Sequence, residues 1–183
     1  MTHASKAPLL DEKLLTAINT LHSDWLDTIM RSVTIFGEWT VVLGIGAVVA
    51  LYLVRRGMHA VALIISGSLI GSLLLNLLLK GLFDRLRPDL WVPLVQETSF
   101  SFPSGHATAS ATLGLAFLFA AWSTRWRIAA LWSSVVYIIV IGFSRLYLGV
   151  HYPTDVLGGW LLAATVITLM IYCSHAGKNP KLV

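Results

Sequence analysis

The chain has 183 residues, of which 56% are hydrophobic and only 12% are charged, and its formal net charge is +4 at pH 7. A mean hydropathy of +0.77 is too high for an ordinary soluble domain and predicts several membrane spans within one domain. No basic stretch is interleaved with aromatic residues, which argues against nucleic-acid binding. The single cysteine, Cys173, excludes an internal disulfide and is interpreted as a buried, inert thiol.

The first 38 residues are the most polar part of the chain. Their apolar residues, such as Leu14, Leu15, Ile18 and Leu21, recur at spacings of three and four among charged ones. This spacing predicts an amphipathic helix or a pair of helices. Two interpretations stay open, an interfacial segment beside a functional site and a helix that packs against the rest of the molecule. We expect no cleavable signal peptide, because residues 1–10 lack a long apolar core behind a basic start.

Five uncharged runs follow, at 39–54, 57–79, 107–124, 128–144 and 156–174. A bilayer core needs roughly 20 apolar residues, with about 17 as the lower limit, so the second run passes easily and the others borrow flanking residues. The sequence therefore predicts an all-α fold, a polytopic transmembrane helical bundle of about five to six spans. We expect one membrane-embedded domain over 1–183, with an amphipathic segment at 1–38 and the bundle at 39–174.

Small residues in the second run predict a close contact between helices. Gly67 and Gly71 stand four apart and are flanked by serines, which lets a neighbouring helix approach closely. The motif is common by chance in apolar runs. We therefore expect packing within the chain rather than dimerisation.

Basic residues outside the runs indicate the orientation. They follow the first, third and fifth runs, at Arg55, Arg56, Arg125, Arg127, Lys178 and Lys181. Five alternating spans place these positions on one face, which the positive-inside rule makes cytoplasmic. The connections after the second and fourth runs then lie on the external face.

Those external connections carry three polar segments, at 80–88, 103–106 and 144–155. They read Lys80-(six residues)-Arg87-Pro88, then Pro103-Ser104-Gly105-His106, then Ser144-Arg145-(five residues)-His151-(three residues)-Asp155. Because all three lie at one membrane face, neighbouring helix ends can bring them into a single pocket.

The residue types in these segments fit a phosphate group. Arginines give forked contacts to phosphate oxygens, and lysine adds a point charge. A helix that starts near Gly105 offers unpaired backbone amides, and glycine lets the backbone come close. The candidate phosphate ligands are Lys80, Arg87, Ser104, Gly105 and Arg145. Fixed cations and donors of this kind stabilise the charge of a five-coordinate phosphorus.

Two histidines and one carboxylate remain in the segments. A carboxylate such as Asp155 on one ring nitrogen of His151 fixes the tautomer and leaves the other nitrogen free to attack. The two residues share a helix face if the stretch is helical, and a loop can also pair them. His106 can then protonate the leaving oxygen. Other charges at the boundary, Arg85, Asp84 and Asp89, are interpreted as membrane anchors.

With these residues the sequence resembles the type 2 phosphatidic acid phosphatase superfamily, which also includes vanadium haloperoxidases and bacterial acid phosphatases. Every position of the three-part signature is matched between Lys80 and Asp155. The stretch at 97–102 is similar to small bacterial lipid phosphatases, including phosphatidylglycerophosphate and undecaprenyl diphosphate phosphatases, which commonly have six spans. Haloperoxidase members are soluble, and the membrane spans argue against that branch.

The resemblance implies a role for each matched residue. The five candidate ligands bind the phosphate, His151 is the nucleophile that forms a phosphohistidine, Asp155 orients it, and His106 is the general acid. It also implies hydrolysis by water without a metal or other cofactor.

The sequence thus predicts a phosphatase in a bacterial inner membrane, with its site on the external face and a membrane lipid as substrate. We expect the bilayer as partner, no nucleic acid and no obligatory protein. The sequence does not choose between phosphatidylglycerophosphate, phosphatidate and undecaprenyl diphosphate. Two alternatives stay open, a lipid phosphotransferase and a non-catalytic lipid-binding or transport protein.

Overall fold

The computed structural model describes residues 8–176, and this part of the chain is helical and contains no strand. Seven α-helices follow one another in it: α1 (Leu9–Asn19), α2 (Asp24–Thr34), α3 (Trp39–Arg55), α4 (His59–Phe83), α5 (Gly105–Ala121), α6 (Arg127–Tyr147) and α7 (Pro153–Ala176). A short 3-10 helix, Ile35–Gly37, joins α2 to α3. The predicted all-α fold is confirmed. The expectations for residues 1–7, Lys178 and Lys181 fall outside the described residues.

Each of the five predicted runs is a helix. By length and composition, α4, α6 and α7 can cross a membrane, and α2 with the 3-10 helix and α3, bent by 50° between Gly37 and Trp39, can form a fourth span. Helix α5, with 17 residues, is shorter. It packs against α3, α4, α6 and α7 at the centre of the bundle, and a helix enclosed by others need not face lipid over a full crossing.

The centre of the bundle is built from small residues. Buried alanines, among them Ala107, Ala109 and Ala116, line α5 and let its neighbours approach closely. The glycines of α4 serve the same purpose, because a β-carbon added at Gly67 would lie 2.3 Å from Met170 Cε on α7. The expected intrachain packing of this motif is confirmed.

Within the described part of the first 38 residues, the amphipathic prediction is confirmed as a helix pair. Helix α1 packs against α6 and α7, and α2 packs against α6. The expectation of a buried thiol is wrong, because Cys173 lies on the outer surface near the end of α7 and is exposed.

The helices alternate in direction, so that the end of α4, the start of α5, the end of α6 and the start of α7 lie together. Helix α4 ends at Phe83 and is followed by Asp84, whose φ of 44° is left-handed and turns the chain back over the bundle. The loop at 84–104 then packs against the α6–α7 loop, where Leu94 N donates to Leu148 O at 3.1 Å. This loop covers the end of the bundle where the polar segments meet.

Candidate active site

The three polar segments meet at this end of the bundle. Their residues lie at helix ends or in the adjoining loops: Lys80 in the last turn of α4, Arg87 in the loop at 84–104, His106 in the first turn of α5, Arg145 in the last turn of α6, His151 in the α6–α7 loop and Asp155 in the first turn of α7. The directions of the helices are therefore enough to bring the three segments together, as the sequence predicts.

Arg145 lies at the bottom of the site, with 1% of its surface exposed. It donates from Nη1 to Thr34 Oγ1 at 2.8 Å and from Nη2 to Glu97 Oε1. Among the described residues none accepts a hydrogen bond from its Nε. The buried guanidinium therefore retains a donor for a further anion.

Arg87 reaches the site from the loop at 84–104. Its Nε donates to Ser99 O at 2.7 Å, and its Nη1 donates to Val150 O at 2.8 Å. Its Nη2 lies 3.5 Å from Glu97 Oε2, so the carboxylate of Glu97 joins both arginines. Burial lowers the pKa of Arg87, and the charge of Glu97 acts in the opposite direction.

His151 is almost completely buried, and its two ring nitrogens face different partners. Nε2 lies 3.1 Å from Nη1 of Arg87, which is a donor only, so this nitrogen carries its lone pair. Burial and the charges of Arg145, Arg87 and Lys80 hold the pKa of His151 well below its ordinary value. The imidazole is therefore neutral at neutral pH, with Nε2 on the side of the cations.

Asp155 lies beside the other nitrogen of His151. Its Oδ2 is 3.5 Å from His151 Nδ1, and the hydroxyl of Ser101 bridges the two, at 2.5 Å from Oδ2 and 3.3 Å from Nδ1. The amide of Tyr152 also donates to Oδ2, at 2.8 Å. Because His151 lies in a loop and Asp155 in a helix, the loop alternative describes their pairing. Sequence reasoning missed Ser101, since its hydroxyl lies 54 residues from Asp155 in the chain.

The remaining candidate ligands surround the start of α5. Lys80 Nζ donates to Phe100 O, and the N-cap hydroxyl of Ser104 accepts from Ala107 N at 3.4 Å. The amide of Ser104, just before the helix, donates to Asp155 O at 3.0 Å and is therefore not one of the unpaired amides expected near Gly105. A β-carbon on Gly105 would lie 3.3 Å from Trp39 Nε1, which explains the glycine by packing.

His106 faces the same pocket from α5. It packs against Gly37 of the 3-10 helix, where an added β-carbon would lie 3.2 Å from the ring. The charges of Arg145, Arg87 and Lys80 act on it electrostatically, as does His151. Both histidines thus share the field of the same three cations.

The interpretation of Arg85 as a membrane anchor is wrong. Its Nη1 donates to Asp155 Oδ1 at 2.6 Å, and its Nη2 donates to Asp11 Oδ2 at 2.9 Å. The sequence gives no local indication of these two ion pairs, because the partners of Arg85 lie 70 and 74 residues away along the chain. Asp84 and Asp89, by contrast, are exposed at the surface of the loop.

Comparison with known proteins identifies the family. Residues 61–178 match the sequence model of the PAP2 superfamily. The chain belongs to the PAP2 superfamily. Phosphatidylglycerophosphatase B of Bacillus subtilis is 32% identical over 181 residues, which cover 92% of this chain and 85% of that protein. Undecaprenyl-diphosphatase BcrC of Bacillus subtilis is 28% identical over 172 residues, covering 89% and 83%.

Solved structures of PAP2 proteins share the fold. The crystal structure of a transmembrane PAP2-type phosphatidylglycerolphosphate phosphatase from Bacillus subtilis superposes with a TM-score of 0.84 at 29% identity, covering 94% of this chain and 88% of that chain. The crystal structure of Aquifex aeolicus LpxE, at 22% identity, gives a TM-score of 0.72 and supports the fold alone. This PAP2 chain is an enzyme of the membrane lipid phosphatase type, a hydrolase with helices embedded in the membrane.

Proposed function

We propose that this PAP2 enzyme removes phosphate from a lipid mono- or diphosphate through a phosphohistidine on His151. The observation that carries the proposal is the placement of His151, a buried neutral imidazole with Nε2 3.1 Å from Arg87 and Nδ1 beside Asp155. A nucleophile needs an unprotonated ring nitrogen beside the cations that hold its target, and an orienting group on its other nitrogen. The donor of Arg87 that Nε2 faces in this structure turns to the phosphate when the substrate binds.

In the first step, Nε2 of His151 forms a bond to phosphorus while the bond from phosphorus to the lipid oxygen breaks. The negative charge of the bound phosphate offsets the cations that surround His106 and lets its ring hold a second proton. His106 gives that proton to the lipid oxygen, and the lipid alcohol leaves, or a lipid monophosphate when the substrate is a diphosphate. Asp155, with Ser101, stabilises the positive charge on the modified ring. The phosphate oxygens lie among the ligands Lys80, Arg87, Ser104, Gly105 and Arg145.

In the second step, water attacks the same phosphorus. His106, now neutral, takes a proton from the water, and the bond from phosphorus to Nε2 breaks to release inorganic phosphate. The charge that develops on the phosphate is stabilised by the guanidinium groups and Lys80, which are fixed before the reaction begins. We infer that no metal is required, because these cations already fulfil the electrostatic function.

An apolar groove beside the site supports a lipid substrate. It has a volume of about 370 Å³ and lies between α3, α5 and α6, lined by Phe36, Ile45, Leu113, Phe117 and Ile141 among others. Gly37 lies where the groove meets the site, because a β-carbon added there would contact both Ile141 of the groove and His106 of the site. The leaving oxygen takes its proton from His106, so a hydrocarbon chain attached to that oxygen starts where the groove starts.

The groove also continues far enough for a chain. Along α6 it runs from Ile141 to Ser133, which is about 12 Å at a rise of 1.5 Å per residue. The names of the similar proteins support phosphatidylglycerophosphate and undecaprenyl diphosphate as substrates, and phosphatidate stays a third candidate from the sequence.

We propose an external site in a bacterial inner membrane. Four of the basic residues that predict orientation, Arg55, Arg56, Arg125 and Arg127, lie at the helix ends opposite the site. The positive-inside rule favours the cytoplasm for that end.

Phosphate release tests the proposal. The purified protein in detergent with EDTA is offered phosphatidylglycerophosphate, phosphatidate and undecaprenyl diphosphate in parallel, and His151→Ala is the matched control. We expect release from at least one lipid that disappears in the variant, while the variant still binds inorganic phosphate. Full activity in His151→Ala would remove the mechanism, and transfer of phosphate to an added lipid in place of release would identify a phosphotransferase.

A further inference from the structure

Arg85 is held between two buried carboxylates behind the proposed catalytic pair. Its Nη1 donates to Asp155 Oδ1 at 2.6 Å and to Thr154 Oγ1 at 2.7 Å, and its Nη2 donates to Asp11 Oδ2 at 2.9 Å. Its guanidinium carbon lies 4.5 Å from the centre of the Tyr152 ring. Asp11 is 2% exposed and Asp155 is fully buried, so solvent screens these contacts little.

Asp11 contributes from a distant part of the sequence. It lies in α1, outside residues 61–178 that match the PAP2 superfamily. It also accepts from Thr154 N at 3.1 Å and from Thr154 Oγ1 at 2.5 Å, which fixes the first turn of α7. Thr154 precedes Asp155, so Asp11 holds the backbone from which the catalytic carboxylate projects.

The two oxygens of Asp155 have separate partners. Oδ2 accepts hydrogen bonds from the Ser101 hydroxyl and the Tyr152 amide and faces His151. Oδ1 accepts a hydrogen bond from Arg85. Arg85 therefore sets the rotation of the carboxylate that presents Oδ2 to the imidazole.

Asp11 also balances charge. If the guanidinium were paired with Asp155 alone, its positive charge would offset the carboxylate's negative charge and weaken the attraction between Asp155 and a positively charged His151 ring. Asp11 shares the guanidinium, which leaves Asp155 more negative toward the imidazole.

We propose that Arg85 and Asp11 are positioning residues for Asp155, and that α1 thereby forms part of the active site. The proposal rests on the roles given to His151 and Asp155 under the proposed function. A positioning role affects the chemical step, because the orientation of His151 matters when phosphorus is attacked. It leaves the cations that bind phosphate, Arg87 and Arg145, in place.

The test compares Asp11→Asn, which keeps the shape and removes the charge, with Asp24→Asn on the exposed face of α2. We expect Asp11→Asn to lower kcat at least fivefold, with KM and the inhibition constant of inorganic phosphate within about twofold of the wild type. Asp24→Asn should match the wild type. Unchanged kcat in Asp11→Asn, or a loss seen only in KM or thermal stability, would overturn the proposal.

The second arm uses Arg85→Gln and Arg85→Lys, with Arg31→Lys on the exposed surface of α2 as the matched control. We expect a larger loss of kcat in Arg85→Gln, partial rescue in Arg85→Lys, and little further loss when Asp11→Asn is added to Arg85→Gln, because the two residues act together. Independent, fully multiplicative losses would contradict the proposed pairing. Arg85→Lys retains a cation and keeps the test decisive if Arg85→Gln fails to fold.

His151→Ala distinguishes a failure of the positioning role from a failure of the proposed function. If His151→Ala is inactive while Asp11→Asn behaves as Asp24→Asn does, the positioning role fails and the proposed function stands. If His151→Ala keeps full activity, the proposed function itself fails.

Discussion

At the scale of single residues, Glu97 supplies the negative charge that Arg87 and Arg145, the two arginines proposed to bind phosphate, face in this structure. It contacts Arg145 through Oε1 and lies 3.5 Å from Arg87 through Oε2. A phosphate bound by the same guanidinium groups must compete with this carboxylate or displace it. Glu97 therefore affects how tightly the site holds an anion.

We expect Glu97→Gln to strengthen binding of inorganic phosphate, because an amide competes for guanidinium groups less well than a carboxylate. The gain should be up to roughly tenfold, the size of one hydrogen bond between charged groups. The inhibition constant of inorganic phosphate in the hydrolysis assay measures it, with Asp89→Asn on the exposed part of the same loop as control. Weaker phosphate inhibition in Glu97→Gln would show that the carboxylate does not compete.

The protonation of His151 gives a second prediction at this scale. The proposed attack requires a neutral imidazole, and burial with three nearby cations holds the pKa of His151 well below 6.5. Activity should therefore persist as the pH falls through 6.5 and decline only at lower pH. Removing a cation by Lys80→Met should raise the pKa of His151 and move this acidic decline to higher pH.

Profiles of kcat/KM against pH, recorded for the wild type and Lys80→Met on one substrate, measure the shift. The substrate's own titration is common to both profiles and cancels in the comparison. Lys13→Met, on the exposed surface of α1, is the control and should leave the profile unmoved. An acidic decline at the same pH in Lys80→Met would exclude the electrostatic effect of Lys80 on His151.

At the scale of helices, the site depends on how closely α7 approaches the first turn of α5. A β-carbon at Gly159 would lie 2.8 Å from Ser104 O and 3.0 Å from Thr108 N, both backbone atoms that cannot move aside. His106 lies between these two residues in the chain. The contact therefore sets both the position of His106 and that of the carboxylate on α7.

Gly159→Ala should separate α7 from α5. We expect it to destabilise the protein by about 1–3 kcal/mol, the usual cost of overpacking, and to lower kcat at least tenfold. Gly44→Ala in α3 is the control, since a β-carbon there meets no atom of the described residues within 4 Å. Thermal unfolding and phosphate release measure both effects, and equal behaviour of the two variants would contradict this account of the contact.

The helices could be predicted from the sequence because uncharged runs of this length are a local property. The candidate ligands could also be predicted, since their spacing lies within short segments. Arg85 and Asp11 could not, because each is a charged residue at a membrane boundary whose partner is more than 65 residues away. Helices α1 and α7 lie so far apart in the sequence that no periodic pattern links their residues, and such a pair cannot be inferred.

At the scale of the whole molecule, the two ends of the helical bundle differ in the charged residues that they carry. One end carries the site, and the other carries the arginines that follow α3 and precede α6. An enzyme that meets its lipid at the outer leaflet needs the first end to be external. This orientation can be measured without any assay of activity.

Single cysteines test the orientation in a Cys173→Ser background that retains activity. We expect Asp89→Cys in the loop over the site to react with a membrane-impermeant maleimide in intact bacterial cells. Arg125→Cys, at the opposite end, should react only after the cells are permeabilised. The reverse labelling would place the site in the cytoplasm.

The measurement that tests the central claim most directly is the trapping of a phosphorylated enzyme. Substrate labelled with ³²P in the phosphate group is mixed with excess enzyme, quenched in alkali within a single turnover, and the labelled peptide is identified by mass spectrometry. We expect label on the peptide that contains His151, formed before free phosphate and absent in His151→Ala. Phosphate released by His151→Ala at the wild-type rate, with no labelled enzyme at any time, would contradict it.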